Sequence, residues 1–95
     1  KDMTQKEFEQ TKEWLEKVTG MEFNDDQALL DEEGTAIFEK YIDADKWVTL
    51  FIDDKEALLY LNLRNDEYSG LEICRHDRNN AHLCADVLQH MIRWN

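Results

Sequence analysis

Between residues 35 and 76 the chain runs through four β-prone segments joined by links too short for a crossover. Thr35–Ile42, Trp47–Ile52, Ala57–Leu63 and Leu71–His76 are rich in β-branched and aromatic residues. The links D-A-D-K, D-D-K-E and N-D-E-Y-S-G have turn compositions. Parallel neighbours need a connection of about a dozen residues or more, so successive segments must pair antiparallel. The chain contains no proline, so none of these segments is broken. An antiparallel meander is therefore the expected centre of the fold.

Helices flank it on both sides. Thr4 and Glu7 stand in a capping box, T-Q-K-E, with Met3 and Phe8 at the positions of a hydrophobic staple. Phe8, Thr11, Leu15 and Val18 form one stripe at helical spacing, Trp14 lies beside it, and Gly20 is a left-handed stop. The spacing predicts a helix over 4–19. Residues 80–94 predict a second, capped by Asn79 or Asn80, with Cys84, Val87, Leu88, Met91 and Ile92 on its apolar face. Residues 21–34 admit either a helical turn opening at Asn24–Asp26 or a short strand, Gln27–Leu30, turning at Asp31–Gly34; the strand is preferred. The expectation is an α+β fold, an antiparallel meander of three to five strands with the N-terminal and C-terminal helices on one face. With 95 residues this is a single compact acidic domain.

If D-A-D-K and D-D-K-E are regular two-residue hairpins, then Tyr41, Val48, Leu50, Ile52, Leu59, Leu61 and Leu63 share the helix-covered face. The other face then carries Phe38, Lys40, Ile42, Trp47, Thr49, Phe51, Leu58, Tyr60 and Asn62. A water-facing sheet surface is usually polar, whereas aromatic residues among scattered polar groups mark protein interfaces. Trp47, Phe51 and Tyr60 are the expected anchors. A slip of one residue would exchange the two faces.

The charge is uneven. The net charge is −11, and residues 21–72 hold 15 of the 22 acids but only four of the 11 bases. Direct binding to nucleic acid or to an anionic membrane is disfavoured, since both need Lys and Arg. A basic protein surface is the natural counterpart. Asp is at home in turns for local hydrogen-bonding reasons. Doubled and tripled acids need another reason, because like charges repel. Asp31, Glu32 and Glu33, then Asp53, Asp54 and Glu56, then Asp66 and Glu67 are the candidate charge contacts. In a meander alternate turns lie at the same end, about 10 Å apart.

Catalytic chemistry finds little support. A single serine, Ser69, sits in no nucleophile elbow, and three glycines build no phosphate loop. Asp43 and Asp45 begin like a calcium loop, but Val48 stands where that loop needs Gly. A carboxylate pair for glycoside hydrolysis needs a cleft that a chain this short can hardly wall. No enzyme activity and no cofactor are expected. Cys74, His76, His82 and Cys84 have the ligand content of a zinc site, two thiolates and two imidazoles. The spacing argues against it, because residues two apart on a helix point about 200° from each other. A Cys74–Cys84 disulfide is the other alternative, and packing is the ordinary fate of such cysteines.

In size, charge and organisation the chain resembles small phage-encoded inhibitors, among them anti-CRISPR proteins and other nucleic-acid mimics. It is also similar to acidic immunity proteins that block nuclease toxins. The helix–strands–helix order resembles a double-stranded-RNA-binding domain as well, but the acidic balance contradicts that use. The resemblance implies an inhibitor that occupies the basic surface of a nuclease or other nucleic-acid-binding protein. The alternative is a dimeric chaperone or adaptor, similar to secretion chaperones, that holds an apolar peptide on its aromatic sheet face. The expected location is the cytoplasm, since no signal-peptide pattern is seen and no apolar run approaches the ~20 residues of a membrane span.

Overall fold

The T-Q-K-E signal forms the helix start it encodes. In the computed structural model, which describes residues 2–65 and 70–93, Thr4 Oγ1 accepts from Glu7 N at 3.1 Å and Glu7 Oε1 accepts from Thr4 N at 2.9 Å. Helix α1 (Gln5–Thr19) ends at Gly20, whose φ of 71° is left-handed. Met3 and Phe8 are both buried. The inward stripe of α1 is Phe8, Thr11, Leu15 and Thr19. Val18, expected inside, is 42% exposed. Thr19 takes its place by bonding its hydroxyl to Leu15 O at 2.6 Å, which removes the cost of burying it.

Five strands follow in a meander of order β1-β2-β3-β4-β5, every pair antiparallel. They are β1 (Ala28–Leu30), β2 (Ala36–Asp43), β3 (Lys46–Ile52), β4 (Glu56–Leu63) and β5 (Leu71–Asp77). Residues 21–34 thus contain a turn, with Gln27 N bonded to Asn24 O at 2.8 Å, and then the short strand. A 3₁₀ turn, Arg78–Asn80, leads directly into α2 (Ala81–Arg93). Asn79 and Asn80 lie within that turn, so neither is the extended cap residue expected from sequence.

Both helices cover one sheet face. Leu15 of α1 and Ala81, Cys84, Ala85 and Leu88 of α2 pack on Phe38, Val48, Leu50, Ile52, Ala57 and Leu59. Phe8 stacks on Phe38 at 6.0 Å, and Phe23 meets the same ring edge-on at 5.5 Å. Lys40 closes the rim, its ammonium bonded to Glu22 O and lying 4.8 Å over the Phe23 ring.

The assignment of β3 and β4 to faces follows the expectation, while β2 is turned over. Asp43 pairs with Lys46 across a two-residue turn, but Tyr41, instead of Ile42, is opposite Trp47. Ile42 is the extra residue of a β-bulge. One inserted residue flips the strand before it, because side chains alternate with period two. Phe38 is therefore in the core and Tyr41 is 51% exposed on the opposite face. A second bulge leaves Ile73 without a partner between Leu59↔Cys74 and Tyr60↔Glu72. Both bulged isoleucines pack against the core cluster.

Candidate functional site

The face away from the helices is built in rows set by the strand register. Leu29, Ile37, Phe51, Leu58 and Arg75 are successive partners across all five strands. Glu39, Thr49, Tyr60 and Glu72 make the next row, and Tyr41, Trp47 and Asn62 the third. The first row is an apolar band ending on a guanidinium. Its outermost member, Leu29, is 47% exposed.

Phe51 and Tyr60 touch edge to face at 5.6 Å, and Tyr41 stacks on Trp47 at 5.4 Å. Between these pairs Asn62 Nδ2 donates to Thr49 Oγ1 at 3.0 Å. Thr49 is only 7% exposed although no helix of the described residues lies over it. A shallow pocket of about 330 Å³ opens there between Thr49, Phe51, Tyr60, Asn62 and Gly70. Trp47, Phe51 and Tyr60 thus occupy the same face, each half-buried. Tyr41 joins them, a residue that the regular-hairpin assumption had placed in the core.

The acidic turns border the apolar band. In this meander the β1–β2 and β3–β4 turns lie at the same end, two strands or about 10 Å apart. Asp31, Glu32, Glu33, Asp53, Asp54 and Glu56 are brought together there, one residue row from the Leu29–Leu58 band. Asp66 and Glu67 lie outside the described residues.

These carboxylates have different duties. Asp31 Oδ1 accepts from Glu33 N and Thr35 N, both at 2.9 Å. Asp53 Oδ1 accepts from Lys55 N and Glu56 N, both at 2.8 Å. Glu56 is bound by Arg75 at 2.8 Å, and Arg75 also holds Glu72 at 2.8 Å. Glu72 first and then Glu56 push the Arg75 guanidinium further above its ordinary range. Glu32, Glu33 and Asp54 are exposed. A groove of about 380 Å³ reaches the same end, between Met3, Trp14 and Arg78, with Glu7 and Asp54 in its wall.

Three of the four sulfur and imidazole residues also converge, at the junction of β5 and α2. Ligand atoms of Cys74, His76 and Cys84 lie within 4.8 Å of one another. The two Sγ atoms are 3.1 Å apart, and both thiols are free. Cys84 is fully buried. Burial, and then its contact with Cys74, pushes the Cys84 thiol up to about 12. His82 is exposed on the opposite side of α2, as the helical angle requires.

No helix of the described residues is long and apolar enough to cross a membrane. No family model, curated protein or solved structure matches this chain, so the reading of its sites rests on the residues themselves.

Proposed function

We propose that this protein is a small acidic binding module of inhibitor type, acting in the cytoplasm, that engages a basic surface of a nuclease or other nucleic-acid-binding protein. One observation carries the reading: the sheet face away from the helices holds an apolar band bordered by carboxylate turns. An apolar centre with a polar rim is the anatomy of a protein interface. Phe51, Tyr60 and Trp47 serve as anchors, since hot spots concentrate in aromatic side chains. Glu32, Glu33 and Asp54 supply the field that steers a cationic surface onto the band. Surfaces that bind nucleic acid are cationic by necessity. No catalytic residue and no direct nucleic-acid contact are invoked.

The test is capture from host lysate by the immobilised protein, eluted in salt steps. A nucleic-acid-binding protein should elute as salt rises, and the triple variant Glu32→Lys, Glu33→Lys, Asp54→Lys should not retain it. Retention by that variant, or through high salt, refutes the electrostatic reading.

The exposure of Leu29 and Tyr41 favours a second reading, a dimeric chaperone or adaptor that holds an apolar peptide on the same face. That binding would tolerate salt and fail with Phe51→Ala. Sedimentation of the protein alone would show the dimer.

A further inference from the structure

We propose that Cys74, His76 and Cys84 form a zinc-binding site that ties edge strand β5 to helix α2. The chain has two cysteines and three histidines, and both cysteines and one histidine meet at this corner. Cys74 and His76 are two apart on β5, so they project from the same face of the strand. The 3₁₀ turn sets the phase of α2 so that Ala81, Cys84, Ala85 and Leu88 point inward. Cys84 is thereby aimed at the β5 pair.

The separations suit the ion. Zinc holds thiolates at about 2.3 Å and imidazole at about 2.0–2.1 Å, which places tetrahedral ligand atoms about 3.3–3.8 Å from one another. The triad spans 3.1 Å between sulfurs and at most 4.8 Å overall. The sulfurs need to part by less than about 1 Å to admit the ion. Charge balances as well: two thiolates and a neutral imidazole cancel a divalent cation, so the loaded site carries no net charge into a half-buried corner. Binding displaces two thiol protons to solvent, and the ion takes up the sulfur lone pairs. Half-exposed Cys74 and His76 give the ion its way in, and its fourth position is left to water.

The full chain, stripped with chelator and kept in a thiol-free reductant, is titrated with Co²⁺ and then Zn²⁺. One equivalent of Co²⁺ should produce thiolate-to-cobalt charge-transfer absorption, and one equivalent of Zn²⁺ should abolish it. Cys74→Ser and His76→Asn should each weaken zinc binding roughly tenfold or more, while His82→Asn should leave it unchanged. Wild-type protein alone is decisive whether or not a variant folds. Absence of the thiolate band, or uptake below one equivalent of zinc, overturns the proposal, and so does equal affinity in a folded Cys74→Ser.

Discussion

Deleting Ile42 tests the reading of both sheet faces. Ile42 is the extra residue between Tyr41↔Trp47 and Asp43↔Lys46. Its removal should convert the bulge into a regular hairpin while every other pair of β2 keeps its partner. The loss is then the packing of one half-buried isoleucine, about half of the roughly 1.5–3 kcal/mol of a fully buried one, or ~0.7–1.5 kcal/mol. Ile42→Ala removes nearly the same contacts and should cost about as much. For a domain this size ~1 kcal/mol lowers the Tm by roughly 4–8 °C. If instead β2 paired regularly, Tyr41 would face the helices and Phe38 the other side, and the deletion would exchange the two faces of β2. Ile37, Glu39 and Tyr41 would leave the helix-covered face as Phe38 entered it, so the cost would not follow that of Ile42→Ala, and Tyr41 would meet Trp47 only in the deletion. Denaturant titrations of wild type, Ile42→Ala and the deletion separate the two cases. Nuclear Overhauser contacts between Tyr41 and Trp47 report the face. A wild-type protein without the Tyr41–Trp47 contact, or a deletion that loses it or costs more than ~3 kcal/mol beyond Ile42→Ala, refutes the bulge.

Other outcomes follow from single positions. Gly34 has φ 79°, and a Cβ there would lie 2.8 Å from Asp2 Cα and 2.9 Å from Met3 N. Gly34→Ala should therefore cost about 2–3 kcal/mol in thermal unfolding, whereas Gly20→Ala, left-handed but with open space around it, should cost only about 1–2 kcal/mol. Asp53→Ala removes the acceptor of two backbone N–H groups and should cost ~1–2 kcal/mol by denaturant titration; Glu32→Ala should change stability by less than ~0.5 kcal/mol. In metal-free protein the raised Cys84 thiol stays protonated where the unfolded chain has already ionised. The native state then binds more protons above pH ~9, and stability should fall as pH rises from there towards 12, by at most ~1.4 kcal/mol per unit. Cys84→Ala should remove that extra slope in pH-dependent unfolding.

Much of the architecture was legible because local signals were independent and agreed. The capping box, the left-handed Gly20 and the short acidic links each fixed one boundary, and the links forced antiparallel order. The face of β2 was misread for a physical reason. A two-residue turn between Asp43 and Lys46 is present, yet turn length fixes register only where no bulge follows. The strand's own alternation held the missing signal, since Ala36, Phe38 and Ile42 are the residues that reach the core. The acidic end was readable from topology alone, because alternate turns of a meander must coincide. The Cys74–His76–Cys84 corner was not. Its formation depends on the angular phase at which α2 begins, and the 3₁₀ turn that sets this phase leaves no distinct composition.

The carboxylates divide into those the fold uses and those it does not. Asp31, Asp43 and Asp53 each accept a backbone N–H two residues ahead, so turn formation accounts for them. Three of the four bases of the central stretch are engaged too: Lys40 with Glu22 O and Gln27, Lys46 with Asp43, Arg64 with Asp45 and the Trp47 ring. Neighbouring acids such as Glu32 and Glu33 lie exposed beside these engaged groups and add self-repulsion, which opposes compaction. A cationic surface seated on the Leu29–Leu58 band would neutralise that repulsion while covering apolar area. Partner binding should therefore stabilise this chain by more than ligand occupancy of a neutral surface would, and added salt should erode that increment while leaving the isolated protein's stability unchanged or raised.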